Sequence, residues 1–235
     1  AFGEGSRAIN ERGIYWGIKF KPSRRYTVAA YYDKFEFPWL RFGTDAPSQG
    51  AEWLARFTYQ PDRNVTTYVQ VREEKKEISR TVGNLSELEL RTKRNYIFNI
   101  DYKLNSALSM KTRVQTSTQN LAGEFTKGYA IIQDLNYQFG KFKLSGRTAL
   151  FETDDYDNRQ YVYERDVLYA FSIPAYNGVG IRNYILLQFS ATRQIDFYVR
   201  YAQFSYRDRD EVGSGLDVTE GPIRSEVKWM MRIML

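Results

Sequence analysis

The chain has 235 residues, 34 Lys and Arg against 28 Asp and Glu for a net charge of +6, no Cys and no His, and 19 Tyr, 15 Phe and 4 Trp. The two missing residue types exclude a disulfide framework, a thiol nucleophile, thiolate or imidazole zinc ligands and every Ser-His or Cys-His catalytic pair. Basic residues are interleaved with acidic ones rather than gathered into a nucleic-acid-binding run, and no apolar stretch approaches the ~20 residues of a transmembrane helix.

Mean hydropathy is −0.56, which leaves a membrane β-barrel open because its alternating strands average out as polar. The N-terminus carries no basic-then-apolar leader, which fits a mature chain or a piece of a longer one.

In chain order, segments of about ten residues alternate apolar and polar side chains, the period of a strand whose two faces meet different surroundings. Residues 12–21 set Ile14, Trp16, Ile18 and Phe20 against Tyr15, Gly17, Lys19 and Lys21. A weaker pattern fills 26–36, and 51–60 sets Trp53, Ala55, Phe57 and Tyr59 against Glu52, Leu54, Arg56 and Gln60. After a weaker segment at 65–73, residues 95–104 oppose Tyr96, Phe98, Ile100, Tyr102 and Leu104 to Ile97, Asn99, Asp101 and Lys103. Residues 107–116 set Leu108, Met110 and Val114 against Ser109, Lys111, Arg113 and Gln115. Weaker versions occupy 129–139, 142–151, 182–190 and 195–206. In 225–235, Val227, Trp229, Met231, Ile233 and Leu235 oppose Glu226, Lys228 and Arg232. Only the polar stretch 83–90 has room for a helical turn, and it lacks an apolar stripe. The chain reads as all-β.

Short connections at 22–25, 61–64, 105–106, 140–141 and 191–194 carry turn-forming Pro, Asp, Asn and Gly in most cases. Long polar stretches at 37–50, 74–89, 117–127, 153–181 and 207–223 lie between them. Aromatic residues flank the short turns: Phe20, Tyr26, Tyr59, Tyr102, Phe139, Phe142, Phe189 and Phe197. Short turns on one side, long loops on the other and rings near the turns predict an antiparallel up-and-down transmembrane β-barrel of outer-membrane type. A soluble sandwich or barrel shares the alternation but needs an apolar interior, whereas here the faces opposite the large apolar residues are rich in Lys, Arg, Asp, Gln and Asn.

The count is about eleven strands in one domain over 1–235, with 153–181 as a long outside loop. If the short turns are periplasmic, the first strand starts outside and the last ends in the periplasm. An odd count and an outside start predict a larger barrel whose N-terminal strands precede Ala1, because single-chain bacterial barrels have even strand numbers.

The strings AFGEGS (1–6), FPWLRF (37–42), DAPSQG (45–50), YERDVLYAFSIPAYNG (163–178), GIRNY (180–184) and GSGLD (213–217), with the final RSEVKWMMRIML, resemble the C-terminal barrel region of a Bacteroidota family. Its members carry small helix-hairpin-helix repeats before an outer-membrane barrel. The resemblance implies a bacterial outer-membrane location and no assigned biochemical role, and a link to DNA handling would rest on analogy alone. Such barrels commonly end in an aromatic residue, whereas this chain ends in Leu235.

Strand parity assigns Lys19, Arg56, Arg72, Asp101, Lys111, Arg113, Asp134, Arg147, Asp196, Arg200, Glu226 and Arg232 to a lumen lining, either an anion-preferring passage or a salt-bridged filling. Trp16, Ile18, Phe20, Trp53, Phe57, Phe98, Ile100, Trp229 and Ile233 fall on the lipid-facing side. The stretch YVYERDVLYAFSIPAY (161–176) is too apolar for a freely solvated loop, which predicts an extra hairpin or plug with Tyr169, Phe171, Ile173 and Pro174 buried.

Residues 207–220 look acidic enough for calcium, but Val212 and Thr219 break the EF-hand spacing. They read as a solvated loop, with weak divalent binding by Asp208, Asp210, Glu211 and Asp217 as the alternative. Asp154, Asp155 and Asp157 could bridge through cations to lipopolysaccharide phosphates. No catalytic residue, metal site or cofactor is indicated, and the outer-membrane barrel enzymes of the omptin, phospholipase and lipid A-modifying kinds use a histidine. The expected partners are outer-membrane lipid, lipopolysaccharide and a periplasmic domain or envelope protein, with no nucleic-acid contact. Three functions stay open: a non-enzymatic pore, transporter or membrane anchor; a filled scaffold barrel; and a soluble barrel holding an apolar ligand.

Overall fold

A computed structural model describes residues 10–82, 85–213 and 215–234. The AFGEGS string, Ser214 and Leu235 lie outside the described residues. In chain order the strands are β1 (Arg12–Phe20), β2 (Tyr26–Phe37), β3 (Ser48–Tyr59), β4 (Val65–Val82), β5 (Leu85–Lys103), β6 (Leu108–Leu121), β7 (Glu124–Phe139) and β8 (Phe142–Thr153). There follow β9 (Gln160–Tyr161), β10 (Ala175–Tyr176), β11 (Val179–Ser190), β12 (Ile195–Tyr206), β13 (Glu211–Val212), β14 (Thr219–Glu220) and β15 (Ile223–Ile233).

Eleven strands make one antiparallel sheet in the order β1-β2-β3-β4-β5-β6-β7-β8-β11-β12-β15, while β9 pairs with β10 and β13 with β14. The all-β, up-and-down architecture is the one the alternation predicts. β1 and β15 are the edges of this sheet, and no pairing joins them among the described residues.

The short turns close by the chemistry of their side chains. Asp62 Oδ1 accepts from the Asn64 and Val65 amides at 2.6 and 3.0 Å, and Asn105 Oδ1 accepts from those of Ala107 and Leu108 at 2.8 Å. Thr192 Oγ1 does the same for Gln194 and Ile195 at 3.1 Å. The antiparallel register then brings the flanking rings into line at this end of the sheet. Tyr26 and Tyr59 stack at 5.1 Å, and Tyr137, Phe139, Phe142, Phe189 and Phe197 form a continuous row with centroid separations of 4.6 to 6.4 Å.

Two of the expected long loops are strand instead. Residues 74–89 belong mostly to β4 and β5, of 18 and 19 residues, and 117–127 mostly to β6 and β7, which turn at Ala122 and Gly123. On β4 the outward face changes from Val69 and Val71 to Glu73 and Lys75, and on β5 it changes from Phe98 and Tyr96 to Arg94. Beyond that level β4 turns Glu77, Ser79 and Thr81 outward while β5 keeps only Leu90 and Leu88 there among polar neighbours, so the alternation thins although the ladder continues.

One side-chain parity points out and the other in. The outward side chains include Trp16, Ile18, Phe20, Phe57, Phe98, Trp229 and Ile233, all exposed. On the other face lies residues 154–178, which touches Lys93 on β5, Ser117 on β6, Arg147 on β8, Arg200 on β12 and Lys228 on β15. One short segment can reach all of these strands only because the sheet curls around it.

Candidate functional site

The inner face and the segment it encloses form the candidate site. The segment leaves β8, runs inward as a hairpin through β9, the Glu164–Ser172 bridge and β10, and rejoins the sheet at β11. Its turn contains Tyr169 at φ 67°. Gly178, at φ 81°, provides the left-handed exit that suits glycine.

The base of the hairpin is fixed by amides and hydroxyls. Ser117 Oγ donates to Asn158 Oδ1 at 3.0 Å, Gln160 Nε2 donates to Ser117 Oγ at 2.7 Å, and Gln115 Nε2 donates to Gln160 Oε1 at 3.0 Å. Asn158 Nδ2 donates to Thr126 Oγ1 at 2.7 Å. Gly128 allows this approach, because a Cβ there would sit 2.7 Å from the Asn158 carbonyl oxygen. Asp155 accepts from the Asn158 amide at 2.8 Å and its Nδ2 at 2.9 Å. Burial pushes the Asp155 carboxyl up, but hydrogen bonds from Thr126 and Asn158 outweigh it and hold the group below the usual aspartate range.

Halfway down, the contacts become ionic. Glu164 is fully buried. Its Oε1 accepts from the Tyr176 hydroxyl at 2.8 Å and Arg182 Nε at 3.0 Å, and its Oε2 accepts from Arg182 Nη2 at 2.8 Å and from Arg200 Nη2. Arg200, also fully buried, donates Nε to the Arg165 carbonyl at 3.1 Å and Nη1 to Glu226 at 2.7 Å. Lys228 reaches Asp166 at 2.8 Å. Arg147 forks onto Asp134 at 2.5 and 2.8 Å and lies 3.5 Å from the Tyr176 hydroxyl. A buried carboxylate with two guanidiniums satisfies the rule that charges taken from water must be paired and hydrogen-bonded.

Apolar contacts flank this network. Val162 and Tyr176 pack with Ala130, Ile132, Ala149, Phe151, Phe204 and Tyr206, and Val167 packs with Tyr184, Leu186, Tyr198 and Ala202. The inner face is therefore not uniformly polar under the hairpin.

The hairpin folds inward, but not by the residues expected. Tyr169, Phe171 and Ile173 are 89%, 75% and 42% exposed, and Pro174 is half-buried. The physical reason is the surface they would meet: Arg147, Arg182 and Arg200 select Glu164, Asp166 and the Tyr176 hydroxyl. The rings of Tyr163 and Phe171, 5.6 Å apart, turn to the open side.

All twelve charged residues assigned by parity to one face share the inner face. Asp134, Arg147, Asp196 and Arg200 are buried, Arg72, Asp101, Lys111, Arg113 and Arg232 are half-buried, and Lys19, Arg56 and Glu226 are exposed. The hairpin covers the middle of the row and leaves its ends open. Arg72 pairs with Glu52 and Glu74, Lys111 with Asp101 at 3.3 Å, and Arg232 with Asp196. Arg56 donates to Gln70 at 2.8 Å, and Arg113 donates to Asn99 at 3.2 Å and Tyr68 at 3.0 Å. Of the nine apolar positions assigned to the opposite face, Ile100 is half-buried and the others are exposed.

Sequence reasoning missed Glu164, Asp166, Asn158, Gln160 and Arg182. Arg182 was findable, since it alternates with Ile181 and Ile185 on a strand. Glu164 was not, because its segment has no period. Toward the short turns, a cavity of about 400 Å³ is lined by Asp101, Lys103, Lys111, Asp134, Arg147 and Arg165 among others. The acidic loops are engaged internally: Asp154 accepts from the Lys127 amide at 2.9 Å, and Asp208 pairs with Arg209 at 2.9 Å, which holds the Asp208 carboxyl below its usual range. Among the described residues no group of three or more Asp and Glu is placed to hold a metal ion.

No protein-family model matches the chain, and no curated protein matches it. Among solved structures, the copper transporter OprC is similar in fold, with a TM-score of 0.52 at 9% identity. The match covers 94% of this chain and 41% of that one, so the chain spans about two fifths of the transporter's length.

Proposed function

We propose that the chain forms part of the wall of a bacterial outer-membrane β-barrel of transporter type, non-enzymatic, in which the hairpin of residues 154–178 narrows the interior. The observation that carries this reading is the division of the sheet: large apolar side chains with stacked rings on the outer face, a polar face inside, and a connecting segment folded onto the polar face. In lipid the outer face needs no water, and the aromatic row at the short-turn end suits headgroup depth.

The free edges of β1 and β15 cannot face hydrocarbon, since unpaired backbone groups there cost several kcal/mol each. Further strands therefore complete the barrel, in keeping with the share of the OprC fold that the chain covers. Copper is not carried over as cargo: with no Cys or His the chain keeps only methionine thioethers among the side chains that soft copper prefers.

The test is solute flux and conductance of the full-length protein in liposomes. Low conductance that rises when residues 160–176 are replaced by a short Gly-Ser linker supports the reading. Solubility without detergent and a gel mobility indifferent to heating overturn it. The buried Glu164 network favours one second reading, a filled scaffold barrel, which a silent protein with and without the hairpin would select.

A further inference from the structure

At the long-loop end, on the opposite side of the hairpin base from the cavity already described, lies a second cavity of about 400 Å³, the size of a small-solute site. It is formed by the inner faces of β4, β5 and β6 together with residues 157–161. Four cations, Arg72, Arg91, Lys93 and Arg159, line it against two carboxylates, Glu74 and Asp157. With Glu52 behind Arg72 counted, one positive charge remains in surplus.

Arg91 donates Nη2 to Glu74 at 2.6 Å, while its Nε is buried with no hydrogen-bond partner. A buried guanidinium donor without a partner carries a desolvation cost that an acidic group drawn up to it would offset. Arg159 is held in place by its neighbours: its guanidinium lies 4.2 Å from the Tyr156 ring centroid and donates Nε to the Tyr161 hydroxyl at 2.6 Å. Lys93 lies within electrostatic reach of both arginines.

The remainder of the lining is not that of a bare anion site. Gln70, Asn95, Gln115 and Gln160 line it with amides, of which Gln70 Oε1 already accepts from Arg56 and Gln160 is bonded to Gln115 and Ser117, and the ring of Tyr161 is half exposed. A cationic end, paired donors and acceptors and an aromatic ring match a solute with one acidic group on a hydroxylated, C–H-faced body. Resting on the transporter reading, we propose that this cavity binds a small acidic saccharide, carrying a phosphate or carboxylate, as it enters from the long-loop side.

The experiment is calorimetric titration of the full chain in detergent with glucose 6-phosphate, galacturonate, glucose and inorganic phosphate. The expected result is saturable binding of the two acidic sugars, at least tenfold tighter than of glucose or phosphate. Arg91→Gln and, separately, Arg159→Gln each lose about tenfold, the factor of a charge-assisted hydrogen bond, while Arg24→Gln, in the exposed turn after β1, binds as the parent does. Arg159 lies on the hairpin rather than in the sheet, so its variant tests the site should Arg91→Gln fail to fold.

Absence of acidic-sugar binding, phosphate or glucose binding as tight as the sugar acids, or unchanged affinity in folded Arg91→Gln and Arg159→Gln proteins overturns the proposal. Binding in detergent is independent of flux in liposomes. A silent barrel that still binds the sugar acids refutes only the transporter reading, and a conducting barrel that binds none refutes only the site.

Discussion

Glu164 concentrates the energetics of the interior in one side chain. It neutralises Arg182 and Arg200 and receives the Tyr176 hydroxyl with no access to water. Glu164→Ala leaves two buried guanidiniums short of their carboxylate, a defect of about 3–5 kcal/mol. The expected outcome is release of the hairpin with the sheet intact, read as fast amide exchange and proteolysis within residues 160–176 while β6 to β8 stay protected. Asp155 adds a pH dependence at the hairpin base. Its folded pKa is depressed below the aspartate value of 3.8, so its contribution is present above that pH and fades as pH falls through the lower folded value. Cleavage of the base should therefore rise below about pH 3.8 in the parent, and Asp155→Asn should show enhanced cleavage already at neutral pH with a flatter acid response.

At the scale of elements, the hairpin and the strands beneath it are one packing unit. Gly128→Val on β7 places a branched side chain where the Asn158 carbonyl oxygen lies 2.7 Å from a would-be Cβ. The β7–β8 ladder can survive this and the docked base cannot, so the variant should keep its β circular-dichroism spectrum and lose protection at residues 155–162. The same strands explain how far the elements could be read from the sequence. Period two is sharp at 12–21 and 95–104 because one face is apolar and the other polar. It is weak at 129–139 and 195–206 because the hairpin needs apolar neighbours too: Ala130, Ile132, Ala202 and Phe204 lie inside, back to back with Ile131, Tyr201 and other outward apolar residues. Weak alternation marked the strands that carry the infolded segment, while the segment itself, with Glu164 between Tyr163 and Arg165, left no periodic trace.

At the scale of the whole molecule, the two faces predict how the chain sits in a bilayer. Phe98 lies on the outer face of β5 within the apolar band, and Thr81 lies near the tip of the long β4–β5 hairpin, above it. Phe98→Arg should cost about 2–4 kcal/mol of stability in lipid, the penalty for a charge on the lipid face near the midplane. Thr81→Arg should fall within about 0.5 kcal/mol of the parent. Denaturant titration of both proteins in vesicles checks this, and equal stabilities would place the outer face in water. Parity carried the division of faces in the sequence, because alternation records it residue by residue. The extension of β4 and β5 above the band was hard to read, because polar residues dominate both faces there and leave only the short alternation at Leu88 and Leu90.

The uneven cover of the inner face has a geometric outcome. The hairpin leans on β5 to β15, while Lys19 and Arg56 on β1 and β3 remain uncovered. In the barrel proposed above, the free space would then be eccentric rather than axial. A traversing molecule would slide along one wall, with β1 to β4 on one flank and the exposed rings of Tyr163, Tyr169 and Phe171 on the other.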